Sequence, residues 1–415
     1  MKGLGEIMEK KRKKTDKNKE NKNKRKNRQW ILIMIYYLMS AVCGVVGMIY
    51  TEKIKGEVAA HNLPIGMIST IFCVMVVFLL HIIIHEAGHL VFGLLSGYGF
   101  SSFRIGNIMF IKKNGKLQVK KFSVMGTGGQ CLMVPPECSW EQLPYRLYNL
   151  GGPLMNILFS VAAWGVCIVA KDNLYVKMFC TLFSIIGVGA ALANGIPIFG
   201  QINNDGANAW SLGKNPEALR CFAIQMKINA RITEEVRLKD MPEEWFQMPS
   251  QKQMEQDALC SAMGMLALNR AIDQKDFKKA KEIVEQLLKI EDSLILLYKN
   301  LFTTERIFLE LISKKKEKSE EEEQERKQLF EKLQEKEYKK FASAMKQNPS
   351  LVRMQYAYAL LEENNEKEAE KYLSQFQKVA KTYPNQCEIE GEKELLEIAK
   401  NTYERRKCEH ERKAE

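Results

Sequence analysis

The sequence predicts an all-α polytopic membrane domain with a small β-hairpin insertion, followed by an α-helical, tetratricopeptide-like cytoplasmic domain. Three observations carry this expectation. Nearly all the long apolar runs of the 415-residue chain lie between Trp30 and Ile198. The stretch after Lys214 is rich in Lys, Glu and Gln instead. Between the second and third apolar runs, apolar and basic residues alternate around an Asn-Gly pair, the pattern of a hairpin rather than a helix. A chain of this length holds two or three structural units, and the expected divisions are 1–29, 30–213 and 214–415.

The formal net charge is +12, and much of it sits in the first 29 residues. Lys10 to Lys14 and Lys22 to Arg28 are basic, polar and nearly free of apolar side chains, so this tail has no core to bury and is expected to be disordered. It abuts an apolar segment that starts at Trp30. A basic run in that position holds its end of the chain in the cytoplasm against anionic lipid, and this reading is preferred to a nucleic-acid arm. A cleaved signal peptide fits poorly, because the charged region is too long and the apolar run has membrane-spanning length. The ten cysteines are scattered, several within apolar runs (Cys43, Cys73, Cys167, Cys180), and no spacing points to a disulfide framework or a CxxC zinc ribbon.

Four membrane helices are expected, at about 30–50, 63–95, 150–170 and 174–198. Each is long enough at ~1.5 Å per residue to cross a ~30 Å hydrocarbon core. A tight polar turn, Lys171-Asp172-Asn173, makes the last two an antiparallel pair. With the basic end inside, the second and fourth helices both return to the cytoplasm. Residues 85–89 and the residues beyond Ile198 then fall on one side.

The hairpin is expected over 103–124, turning at Asn114-Gly115. The glycine cluster Gly126-Thr127-Gly128-Gly129 lacks the strand–loop–helix context and trailing Lys-Ser/Thr of a phosphate loop, so it reads as a turn. Beyond Lys214, residues 259–288, with Asp276-Phe277 at the turn, read as a helical hairpin. Residues 356–383 repeat that style, and both resemble degenerate tetratricopeptide hairpins. Lys314 to Lys340, dense in Glu, Lys and Gln, reads as a solvated helix or linker.

The chemistry is concentrated in His85-Glu86-Ala87-Gly88-His89. On a helix, positions i and i+4 lie one above the other, so both imidazoles can reach one tetrahedral Zn2+ at ~2.1 Å. The glutamate between them can polarise a zinc-bound water and take its proton. The bland alternative is a pair of capping histidines at a membrane edge. Two histidines and a glutamate inside a membrane helix are costly unless they have a task. A hydrolytic zinc site needs a third protein ligand and one open position. No histidine lies between His89 and His410, and the nearby acids are Glu137, Glu141, Asp172 and Asp205. The topology puts Asp172 on the opposite side. Asp205 is the expected third ligand; Glu137 and Glu141, in a polar loop after Pro135-Pro136, are the alternatives. His81 shares the helix face, but it lies ~12 Å along the axis from His89, too far for a common ion. It is expected to pair with a neighbouring group or to line a wet cleft.

HEAGH at the end of a membrane helix, Gly152-Pro153-Leu154-Met155-Asn156 in the next, and Asn194-Gly195-Ile196-Pro197 followed by Asp205-Gly206 together resemble the site-2 protease family. The resemblance covers roughly residues 63–210. It implies a zinc-dependent protease that cuts within the membrane. It implies that His85, His89 and Asp205 bind zinc, that Glu86 is the base, and that Asn156 lies near the substrate or oxyanion. Two features depart from the usual pattern: Asn204 stands where the family has Leu, and the run from Pro197 to Asp205 is longer.

The expected activity is an intramembrane zinc endopeptidase acting on a membrane-spanning or membrane-proximal peptide, in regulated proteolysis or in clearing signal-peptide remnants. The expected setting is the lipid bilayer of a bacterial cell membrane, with both the N-terminus and the C-terminal domain cytoplasmic. That domain is a candidate for binding a protein partner, and no nucleic acid is expected. An exposed edge of the hairpin would suit an unwound substrate strand. The reading from another class is a non-catalytic membrane scaffold that acts through its C-terminal helices.

Overall fold

The computed structural model describes residues 63–414 apart from Asn114, 123–126, 171–172, 200–202 and 314–318, and scattered residues between 30 and 53. The expected basic tail, 1–29, lies outside the described residues. The expected first helix, 30–50, lies partly outside them, though 41–46 and 48–50 are helical. The chain divides into two compact units. One comprises Met1–Gly99 with Gln142–Asn215, the other Phe100–Glu141 with Pro216–Glu415.

Three helices among the described residues, all in the first unit, are long and apolar enough to cross a membrane. They are α1 (Leu63–Leu95), α2 (Tyr145–Val169) and α3 (Leu174–Gly195). α2 begins earlier than expected, directly after Pro144, and α3 ends sooner. Ile196 is extended, as the residue before a proline must be. Asn173 caps α3 by accepting from the Val176 N–H. Val77 of α1 packs on Phe183 and Ile186 of α3, with Cys73, Val74, Leu80, Ile84 and Ala163 around them. Ile68, Phe72 and Met75 of α1 and Leu158 and Val161 of α2 are exposed, as lipid-facing side chains would be. α1 and α2 touch backbone to backbone: a Cβ on Gly88 would strike the Gly151 carbonyl. A seven-residue helix, α4 (Asp205–Ser211), closes the unit.

The second unit begins with a four-stranded sheet where the sequence suggested a single hairpin. Its strands are β1 (Gly99–Ile105), β2 (Ile108–Lys113), β3 (Lys116–Lys121) and β4 (Gly129–Val134), in the order β3-β2-β1-β4. β2 and β3 form the expected antiparallel hairpin, Lys113 opposite Lys116, with Gly115 at φ +76°. β1 lacks a clean apolar alternation because Ser101, Ser102 and Arg104 interrupt it, yet all three are buried. The Arg104 guanidinium donates to the carbonyl of Gly106 (2.8 Å) and to the Thr127 hydroxyl, which ties the β1–β2 turn to the chain before β4. The buried face of β2 and β4 (Met109, Ile111, Cys131, Met133) lies under α5 (Pro216–Thr233). β3 is an exposed edge.

The remaining helices are α6 (Gln251–Gln256), α7 (Ala258–Asp273), α8 (Phe277–Leu288), α9 (Leu296–Ile312), α10 (Glu320–Glu331), α11 (Lys336–Ala344), α12 (Pro349–Leu361), α13 (Glu366–Thr382) and α14 (Gln386–Ala414). α7–α8 and α12–α13 are the helical hairpins expected there. Asp276 and Asn365 cap their second helices. Their kinship to tetratricopeptide repeats rests on sequence style alone. The ten cysteines are all free.

Candidate metal centre

α1 runs through His85-Glu86-Ala87-Gly88-His89 without a break, so the two imidazoles meet edge to face on one side of the helix, ring centroids 4.8 Å apart. The close approach of α2 is set by small residues. Gly88 meets Gly151, and a Cβ on Gly152 would lie 2.5 Å from the His85 ring. Across this contact the Tyr148 carbonyl accepts from His89 Nδ1 at 2.8 Å. That bond puts a proton on Nδ1 and turns Nε2 toward the centre, where a neutral ring would present its lone pair to a metal.

Asp205 arrives from the far end of the unit. Asn204 fixes it: its Oδ1 accepts from the Ile198 and Ala207 N–H groups (3.0 and 2.9 Å). Its Nδ2 donates to the Ala193 and Ile196 carbonyls (2.9 and 2.7 Å). One side chain thus caps α4 and ties it to the end of α3. Gly206 abuts the Gly195 carbonyl with no room for a Cβ. The Asn that departs from the resembled pattern is thus bonded on both sides of the carboxylate's helix end.

The donor atoms form a small triangle. His85 Nε2 lies 3.0 Å from Asp205 Oδ2, His89 Nε2 lies 3.4 Å from the same oxygen, and the two Nε2 atoms are 3.2 Å apart. Bonds of about 2.0–2.1 Å to a tetrahedral ion give ligand–ligand edges of roughly 3.3–3.4 Å. The three residues therefore fit one face of such a site and leave a fourth position open. Burial alone would raise the Asp205 carboxyl. Hydrogen bonds and charge from His85 and His89 outweigh it and hold the group well below the usual carboxylate range.

Among the described residues, His85, His89 and Asp205 are the one cluster of three or more His, Cys, Asp or Glu side chains arranged to hold a metal. Glu137 and Glu141 are not part of it and belong to the other unit. Glu86 is half-buried on the same helix turn. Asn156 is fully buried, its amide between the rings of His81 and His85. Asn204 showed in the sequence only as a departure from the resembled pattern, and the Tyr148 carbonyl not at all, since a backbone carbonyl leaves no residue signal. His81 did leave one, as a third histidine four residues before His85.

Apolar helices of membrane-spanning length, one of them ending in an HExxH turn whose donors converge with a carboxylate, define a membrane metallohydrolase. A family profile described as peptidase family M50 matches residues 73–378, more than half of the chain. The chain belongs to that family, the site-2 protease family of membrane metalloproteases. Comparisons with curated proteins and with solved structures gave no match.

Proposed function

We propose that the chain is an intramembrane zinc endopeptidase that hydrolyses membrane-spanning or membrane-proximal peptide segments. The convergence of His85, His89 and Asp205 beside Glu86 carries this reading. A zinc ion held by those three residues supplies, when bound, an acidified water and polarisation of the scissile carbonyl. Glu86, on the same helix turn, would take a proton from the attacking water and return it to the leaving amine. His89, held by the Tyr148 carbonyl, and Asp205, held through Asn204, keep their donor atoms aimed at one point. The apolar helices exclude bulk water around these groups, which strengthens each electrostatic contact.

The substrate class that fits such a centre is a membrane protein with a single span, either a regulator or a signal-peptide remnant. The basic N-terminal tail and the helices after Lys214 are assigned to the cytoplasm of a bacterial cell. Those helices, as tetratricopeptide-like hairpins, are assigned to recruiting a protein partner.

Zinc content and cleavage of a single-span membrane peptide, measured on the full chain in detergent, test this. The wild type should carry about one zinc per chain and Asp205→Ala should lose it. Glu86→Gln should keep zinc while cleavage falls by roughly 10²–10⁴. Zinc retained by Asp205→Ala, or wild-type cleavage by Glu86→Gln, would overturn the assignment.

A further inference from the structure

His81 lies one turn before His85 on α1 and is 2% exposed. An imidazole buried among apolar helices is costly unless both nitrogens are engaged. Here they are. His81 Nε2 lies 2.9 Å from the carbonyl oxygen of Phe183 on α3, and its Nδ1 lies 3.2 Å from the Asn156 amide on α2. The other end of that amide lies 3.2 Å from His85 Nδ1. Three helices thus build one row of polar groups, from the Phe183 carbonyl to the ring whose Nε2 faces Asp205.

Donor and acceptor rules give the row a single direction. A carbonyl only accepts, so His81 donates from Nε2. The neutral ring then carries a lone pair on Nδ1, which takes a proton from the Asn156 NH2. The amide oxygen is left for His85 and accepts from its Nδ1–H. A neutral imidazole protonated on Nδ1 has its lone pair on Nε2, the atom in the metal triangle. The structure sets Oδ1 toward His81 and Nδ2 toward His85. The two ends of an amide have the same shape, so a half-turn keeps both 3.2 Å contacts and, with a metal against His85 Nε2, satisfies every group of the row. The opposite sense would place a proton on His85 Nε2, where a ligand needs a lone pair.

We propose that His81 is a positioning residue of the metal centre: it orients the Asn156 amide, which holds His85 in the Nδ1–H form that binds metal. The inference rests on the proposed zinc site. It gives Asn156 a task other than donating to an oxyanion, since both ends of its amide are engaged. The surroundings are built to keep the row in place. The Ser160 hydroxyl donates to the Asn156 main-chain carbonyl at 2.7 Å, and the Ser184 hydroxyl donates to that of Ser160 at 2.9 Å. Gly187 of α3 faces His81 and Ser160 so closely that a Cβ there would strike both. His89 needs no such relay, because the Tyr148 carbonyl fixes its tautomer directly.

Two measurements on the full chain in detergent test the relay. Zinc affinity is read by competition with a chromogenic chelator for wild type, His81→Leu and His81→Asn. Nitrogen NMR of 15N-histidine-labelled, zinc-loaded protein reads the tautomers directly. His81→Leu removes the acceptor and should weaken zinc binding about 10–100-fold. His81→Asn keeps an acceptor for the Asn156 NH2 and should stay within about threefold of wild type, inside the scatter of single-contact effects. His85 should be protonated on Nδ1 in the wild type and shift toward Nε2 in His81→Leu. If His81→Leu does not fold, the wild-type tautomers and the His81→Asn affinity decide. Unchanged affinity in His81→Leu, an affinity in His81→Asn as weak as that expected for Leu, or a wild-type His85 protonated on Nε2, would overturn the relay. A wild type that binds no zinc would overturn the zinc site itself.

Discussion

Arg353 and His81 meet the same constraint, each in its own unit: a polar group taken out of water must find partners inside. The Arg353 guanidinium, 1% exposed, donates to both oxygens of Glu305 at 2.8 Å and to Glu392 at 2.5 Å, and stacks over Phe308 at 3.9 Å. It joins α9, α12 and α14. Cutting one member of such a triad leaves charge stranded in a low-dielectric core, which costs more than the intact triad contributes. Arg353→Leu should therefore lower stability by about 3–5 kcal/mol, read by chemical denaturation of the helical unit's signal. Arg353→Leu combined with Glu305→Leu and Glu392→Leu should recover most of that loss. If the single and triple variants are equally unstable, the cost is lost packing rather than stranded charge.

At the scale of elements, function depends on how helix ends are tied. α4 has only seven residues and little stability of its own, so its N-terminus stays where Asn204 holds it. Asn204→Ala removes the cap and the two bonds to the end of α3. The cap alone is worth about 1 kcal/mol. Zinc should then bind roughly tenfold more weakly or worse, since 1.4 kcal/mol is a factor of ten, while the melting temperature of the α1–α3 bundle stays near wild type. Unchanged zinc affinity would show that the carboxylate needs no latch.

Much of this level was legible beforehand. Apolar length marked α1 to α3, the Asn114-Gly115 pair marked the β2–β3 turn, and the i, i+4 histidines marked the turn that meets Asp205. Charge-based topology put Asp205 on the histidines' side, and the structure brings it within 3.0 Å of His85. What stayed hidden was carried by groups without a sequence pattern. The Tyr148 and Phe183 carbonyls belong to the backbone. Arg104 and Lys113 belong to the basic half of the alternation over 103–124, yet each is buried with partners: Lys113 pairs with Glu235 and donates to the Pro384 carbonyl at 2.8 Å. Burial by distant segments overrides local polarity, and one sequence does not reveal which segments meet.

For the molecule as a whole, the path of the chain matters more than any single contact. It leaves the first unit after Gly99, returns at Gln142, and leaves again after Asn215. The sheet therefore shares a unit with helices encoded far downstream. Removing everything after Asn215 is not a clean deletion of a C-terminal appendage. It should strip α5 from Met109, Ile111, Cys131 and Met133 and expose that face. Limited proteolysis should then cut the truncated chain within 100–141 at least tenfold faster than the full chain, as expected when a buried strand loses its cover. Equal cutting rates would mean that the sheet stands without its helical partner.

The same path sets an order of manufacture. A ribosome adds roughly 5–20 residues per second and domains tend to fold as they emerge. β4 is finished at Val134, but the helix that covers it is complete only at Thr233. For several seconds or more the strands must wait uncovered while α2 and α3 are made. Asp205 appears before α5 does, so the three side chains of the proposed metal centre are all present before the sheet can close. The proposed centre is complete first, and the unit encoded around it is sealed afterwards.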